Sequence, residues 1–198
     1  MSNSISIETR ENALIVRFIR PEIRNPLSIE VLESLDGIVD GARNSFTIEK
    51  LVFTGTGTAF ASGANLLEIA AVTPETAKKF SLRGQRLMNN VANLSIPTVA
   101  AINGFCFGGA LDLALACSKR IAAPDATFCH PGVGLGIITG WGGTQRLPRL
   151  IGEANALEIF FTAKPINALN ALRIGLIDHI AQDPLVESLA NTHVGRSS

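Results

Sequence analysis

Two glycine-containing segments, Phe60-Ala61-Ser62-Gly63-Ala64-Asn65 and Asn103-Gly104-Phe105-Cys106-Phe107-Gly108-Gly109-Ala110, place small residues where the chain must turn sharply from a strand toward a helix. Glycine admits positive φ and close approach of backbone or ligand, and a helix start leaves N–H groups without carbonyl partners. Two such N–H groups converging on one carbonyl oxygen make an oxyanion hole, a fixed pair of donors for developing negative charge. Either segment alone also reads as an ordinary βα turn. Asp112 falls in the first turns of the helical pattern over Gly109–Cys117, where a carboxylate can serve as an acid or simply answer the helix dipole. His130 lies beyond the short apolar strand Thr127–Cys129. If Cys129–Gly132 is extended, His130 and Gly132 face the same side, and the imidazole could act as acid or base near neutral pH. A hydrogen-bonded structural histidine fits the same position, and Pro131 can bend the chain and break the alternation.

The elements that must hold these residues are legible from period and punctuation. Ser4–Thr9 and Ala13–Ile19 alternate, are rich in β-branched residues, and are joined by Arg10-Glu11-Asn12, the pattern of a hairpin. Pro21–Pro26 reads as a loop. Ser28 is a suitable N-cap for an amphipathic helix with Leu32, Leu35, Ile38 and Val39 on one face. Lys50–Thr54, Pro97–Asn103, Ser118–Ala123 and Thr127–Cys129 read as strands, and about Pro74–Asn93 as a long helix. From Trp141 onward the pattern is mainly helical, with breaks at Gly152, Pro165 and Gly175. Strands alternating with helices, several of them apolar on both faces, indicate an α/β layered fold.

The 198 residues suffice for one domain with a substantial core. Hydrophobic residues make up 46% and charged residues 17%, a globular composition. Lys+Arg and Asp+Glu balance at 17 each, which argues against nucleic acid as a partner. No uncharged apolar run is long enough to span a bilayer, and Met1-Ser2-Asn3-Ser4 lacks the basic start of a signal peptide. Cys106, Cys117 and Cys129 are odd in number and show no CxxC spacing, against both a disulfide framework and a structural zinc. Their apolar neighbours suit buried, reduced thiols in a cytoplasmic protein.

Taken in order, the two glycine segments resemble the two signature segments of the crotonase (enoyl-CoA hydratase/isomerase) family. Trp141-Gly142-Gly143-Thr144-Gln145-Arg146-Leu147-Pro148-Arg149, followed by Ile151-Gly152, is similar to the family's Gly-Gly-Thr-Gln-Arg-Leu run. Ala168–Ile177, ending Gly175-Leu176-Ile177-Asp178, resembles its late helix and turn, and Pro21–Leu27 resembles the N-terminal loop that touches CoA. The resemblance implies a crotonase (ClpP-like) spiral of ββα units with a short C-terminal helical region. It implies one domain over residues 1–190, a frayed tail over 191–198, and homotrimers or paired trimers (hexamers). The implied ligand is an acyl-CoA thioester; coenzyme A belongs to the substrate, and no separate cofactor or metal is expected. Ala64 and Gly109 become the oxyanion-hole donors, with Gly108 serving the turn beside the substrate and Arg24 placed near the CoA nucleotide. Family members continue into further helices that cover the site and build the trimer; with a short C-terminal region, an exposed apolar surface met by oligomerisation is expected.

Hydratases of this family use two glutamates to position and activate the water added across an α,β-double bond. Here the first position is Asp112, whose reach is shorter by one bond, roughly 1.5 Å, and a displacement of about 1 Å can cost around a hundredfold in rate. The second follows a proline, and here Pro131 is followed by Gly132, so that carboxylate is missing. The basic residue common after the first oxyanion position is replaced by Leu67. The expectation is therefore an acyl-CoA enzyme with an altered acid/base set. A non-catalytic acyl-CoA-binding relative, or a hydrolase using the same oxyanion hole, are the alternatives.

Overall fold

The computed structural model describes residues 3–190; the tail expected to fray, 191–198, lies outside the described residues. The chain opens with the antiparallel hairpin of β1 (Ile5–Arg10) and β2 (Ala13–Phe18), Ile5 opposite Phe18. A short 3-10 turn over Pro21–Ile23 leads to β3 (Pro26–Leu27) and then to α1 (Ile29–Arg43), whose cap is the expected Ser28, its Oγ accepting from Val31 N at 3.3 Å. There follow β4 (Lys50–Thr54), β5 (Ala59–Ala61), β6 (Gly63–Ala64), α2 (Leu66–Ala70) and α3 (Pro74–Ala92). The next turn holds β7 (Thr98–Ile102), β8 (Phe105–Phe107) and α4 (Gly109–Ala116), and the one after it β9 (Lys119–Ala122), β10 (Thr127–Cys129), α5 (Gly143–Ile151) and α6 (Glu153–Thr162). β11 (Ile166–Asn167), α7 (Ala168–Arg173), β12 (His179–Ile180) and α8 (Pro184–Ala190) complete the described chain.

This is a spiral of β-β-α turns. In successive turns the first strand joins a six-stranded sheet of order β1-β2-β4-β7-β9-β12, parallel from β2 onward. The second strand joins a small sheet of order β11-β10-β8-β5 or the β3–β6 pair. Every residue of β4 and β7 is buried, as expected of parallel strands covered on both faces. Alternation sorts them. Phe18, Leu51, Phe53, Ala100 and Ile102 point into the main core with Leu32, Leu35, Leu87, Met88 and Phe128. Ile15, Val52, Val99 and Ala101 point to the opposite face, against Leu185 and Leu189 of α8.

Two local points left open by the sequence are decided by the backbone. The chain is not extended through Gly132: β10 stops at Cys129, and Pro131–Leu135 closes into a 3-10 turn, because proline fixes φ and offers no N–H to continue the ladder. The glycine-rich junctions, read as sharp turns from a strand toward a helix, also contain the short strands β5, β6 and β8.

Asn25 ties the Pro21–Leu27 loop to the sheet that carries the site. It holds φ at 51°, beside Arg24 at 62°, a region non-glycine residues rarely adopt. Its buried side chain offsets that cost: Oδ1 accepts from Arg20 N at 2.6 Å, and Nδ2 donates to Ala59 O at 2.9 Å and Phe60 O at 3.1 Å. Asn25→Ala should cost about 3 kcal/mol in urea unfolding, since it strands buried polar groups that each cost roughly 1–3 kcal/mol. A loss below about 1 kcal/mol would show that the loop is held by other contacts.

Candidate active site

In the small sheet β5, β8 and β10 run parallel, so their C-terminal ends lie at one edge, where open parallel sheets place ligands. The chain leaving each strand contributes to one cavity of about 370 Å³, whose lining includes Ala64, Gly108, Gly109, His130 and Gly132 beside Ile69, Phe80, Ile137 and Trp141. Five residues singled out from the sequence thus share one cavity.

Close backbone approach builds its polar corner. Gly63 has φ +86°, and a Cβ there would stand 2.6 Å from Gly109 N and 2.7 Å from Phe107 O. Gly108 has φ +55°, its N–H donates to Cys129 O at 2.8 Å, and its carbonyl accepts the Asp112 N–H at 3.1 Å, which starts α4. Gly109 is the first residue of α4, so its N–H has no carbonyl a turn earlier in the helix to bond. On the other strand end, Asn65 caps α2, its Oδ1 accepting from Leu67 N at 2.9 Å.

Asp112 sits three residues into α4 and is 0% exposed. Its Oδ2 accepts a hydrogen bond from Thr139 Oγ1, and its Oδ1 lies 3.7 Å from His130 Nε2, just beyond direct hydrogen-bond reach. Asp112 Oδ1 and both ring nitrogens of His130 have no hydrogen-bond partner among the described residues. Asp112 does not line the cavity; His130 and Thr139, which it touches, do. Gly143 makes room for the pair, since a Cβ there would stand 2.1 Å from Asp112 Oδ1 and 3.2 Å from His130 Cε1.

Burial pushes the Asp112 carboxyl up to about 7, against the lowering pull of the Thr139 hydroxyl, the Arg146 charge and the backbone N–H groups of Trp141 and Gly143. Burial pushes His130, 3% exposed and packed 5.1 Å from the Phe160 ring, down to about 4. Between those values the pair is a neutral acid beside a neutral imidazole, so the 3.7 Å contact is not an ion pair there.

Arg24 does not line the cavity. It is exposed, and its guanidinium lies 5.1 Å over the Phe105 ring, which stacks on Phe107 at 3.6 Å. The three cysteines are buried, and burial raises their thiols, Cys117 to about 12 and Cys129 to about 11, which suits packing rather than attack. Thr139 was not found from the sequence, and Gly143 only as part of the Gly-Gly-Thr-Gln-Arg-Leu run, without its place beside Asp112. Thr139 offers one weak signal, a hydroxyl following Gly136-Ile137-Ile138 in a glycine-rich apolar stretch. Among the described residues no cluster of His, Cys, Asp and Glu could hold a metal ion, and no helix is long and apolar enough to cross a membrane.

A ββα spiral with a cavity at the shared edge of three strands defines an α/β protein of the crotonase type. The family model described as enoyl-CoA hydratase/isomerase matches residues 8–196. A crotonyl-CoA hydratase of Syntrophomonas wolfei is 37% identical over 180 residues, covering 90% of this chain and 69% of that protein. Among solved structures, an enoyl-CoA hydratase from Bacillus anthracis superposes with a TM-score of 0.88 at 35% identity, over 95% of this chain and 74% of that one. DspI of Pseudomonas aeruginosa gives 0.89 at 28% identity, over 96% and 78%. The chain belongs to the enoyl-CoA hydratase/isomerase family.

The two shifts act oppositely on stability. Asp112 is raised from 3.8, so its contribution is full below about 3.8 and lost as pH rises to about 7. His130 is lowered from 6.5, so its contribution is full above about 6.5 and lost as pH falls to about 4. Asp112→Asn removes only the first effect. In urea unfolding the stability difference should move in the variant's favour from pH 4 to pH 7 and level off above; a difference independent of pH would show that Asp112 is ionised throughout.

Proposed function

We propose that this protein is an acyl-CoA enzyme that stabilises the enolate form of a thioester between the backbone N–H groups of Ala64 and Gly109. On this reading, proton transfer at the carbon chain is handled by a reduced acid/base set, the Asp112–His130 pair. The observation that carries it is one buried carboxyl 3.7 Å from one imidazole, at the edge of a cavity where the second family acid is Gly132.

Backbone donors suit the first half because they are fixed before reaction and need no reorganisation as charge develops on the thioester oxygen. For the second half, His130 is neutral above about pH 4 and reaches the cavity, so it can accept a proton. Above about pH 7 Asp112 has already lost its own proton. Its carboxylate then faces the imidazolium formed when His130 takes one proton from the substrate, and the charges are paired. Asp112 thus acts through His130, and Thr139 fixes its far oxygen. Gly132 offers no side chain, so efficient two-carboxylate hydration is not expected; a slower hydration or an enolate reaction with a single acid is. The names of the relatives support a short enoyl-CoA as substrate, with Arg24 near the nucleotide end. Exposed Leu157 and Phe161 on α6 and Leu169 on α7 support self-association, for which we propose the family's trimer.

One observation favours a second reading, a non-catalytic acyl-CoA-binding relative: Asp112 is wholly buried and does not line the cavity. A mass-spectrometric panel of enoyl-, 3-hydroxyacyl- and malonyl-type CoA esters separates the two. We expect turnover of at least one ester, and a loss of about a hundredfold in Asp112→Asn, within the range for general acid–base groups. Saturable binding with no turnover across the panel would establish the second reading, and a wild-type rate in Asp112→Asn would remove Asp112 from the mechanism.

A further inference from the structure

The indole of Trp141 occupies a slot that exists because two helices carry glycine where they face it. A Cβ on Gly84 of α3 would stand 2.2 Å from Trp141 Cδ1 and 2.4 Å from Nε1. A Cβ on Gly109 of α4 would stand 2.3 Å from Cζ3 and 2.4 Å from Cε3. Carbon atoms pack at about 3.5–4.0 Å, so no side chain fits at either position while the indole is in place. The ring is buried, tilted against Phe80 at 5.9 Å, and lines the cavity. α3 also holds the adjoining backbone, directly at Gly140 and through Arg146 of α5 at Trp141 itself. Gln85 Nε2 donates to Gly140 O at 2.7 Å, and Arg146 donates to Asn89 Oδ1 at 2.6 Å and to Trp141 O at 3.4 Å. The long helix, the indole and the first residue of α4 therefore form one continuous packed line ending at Gly109.

We propose that Trp141 is a positioning residue for the thioester: wedged between Gly84 and Gly109, its indole sets the place and direction of the Gly109 N–H. This rests on the role proposed above for Gly109 as an enolate donor. A displaced donor weakens the hydrogen bond most where charge is greatest, so the enolate suffers more than the ground-state thioester. It follows that Gly84, which does not line the cavity, governs the site from behind: a methyl there must push the indole toward Gly109. In an ordinary helix interior, replacing glycine by alanine stabilises, so the sign of that substitution reports whether the slot is tight.

The test uses Trp141→Leu, Gly84→Ala and the double variant, with two probes. Butyryl-CoA measures ground-state binding; acetoacetyl-CoA, whose enolate absorbs in the near ultraviolet, measures enolate stabilisation. Both single variants should hold butyryl-CoA within about threefold of wild type while the bound enolate-to-keto ratio falls about tenfold, a fraction of the loss on deleting an oxyanion donor. Gly84→Ala should lower the melting temperature alone and raise it in the Trp141→Leu background. Trp141 is the only tryptophan and the chain has no tyrosine, so its emission should also shift in Gly84→Ala as the ring is displaced. An unchanged enolate ratio in both single variants, or the same sign of the Gly84→Ala effect in both backgrounds, overturns the proposal. Failure of wild type to bind either ester overturns the proposed function itself, and this inference with it.

Discussion

The contact between Gly63 and the first turn of α4 is the constraint on which the site depends. The two backbones approach so closely that a single methyl group would strike Gly109 N at 2.6 Å. That approach brings the ends of two separate ββα turns together, and with them Ala64 and Gly109. Gly108 adds the third turn through its hydrogen bond to Cys129 O, which fixes where β10 ends and where His130 begins. Because α4 starts at that point, Asp112 is carried into the core, behind the cavity lining, by the first turn of a helix buried almost throughout.

Depth then decides the chemistry of the acid. A carboxyl buried this completely keeps its proton to about pH 7 despite the Thr139 hydroxyl, the Arg146 charge and the nearby backbone N–H groups, whereas the same group at a solvated helix start would be ionised. His130 is subject to the opposite pressure from the same burial and stays neutral down to about pH 4. The pair is thus poised without being ionic. The two imidazole nitrogens of His130, without a partner among the described residues, are a cost that a polar group bound in the cavity would relieve, since buried orphaned groups each cost roughly 1–3 kcal/mol.

The sequence disclosed what depends on local chemistry. The hairpin, the Ser28 cap, the long helix and the two glycine turns all follow from period and punctuation, and the glycine segments, with the Trp141–Arg149 and Ala168–Asp178 stretches in order behind them, carried the family resemblance. Ala64, Gly108, Gly109, His130 and Gly132 do line one cavity. What it could not disclose depends on partners distant along the chain. Asp112 lies between Leu111 and Leu113, a context equally consistent with a buried helix and with an acid at a cavity wall; only its contact with Thr139, 27 residues away, and the packing of Gly143 settle its depth. The turn at Pro131 was open to either reading until β10 was seen to stop at Cys129. The Arg24 guanidinium over the Phe105 ring was likewise beyond reach, because its partner lies far along the chain.

The central claim is that the thioester carbonyl is polarised by two fixed backbone donors. Infrared difference spectroscopy of butyryl-CoA labelled with carbon-13 at the thioester carbonyl tests it most directly. The account requires the carbonyl stretch of the bound ester to fall below its frequency in water, with the shift retained in Asp112→Asn, because the donors are independent of the acid. A bound ester whose carbonyl stretch matches that in water would contradict it.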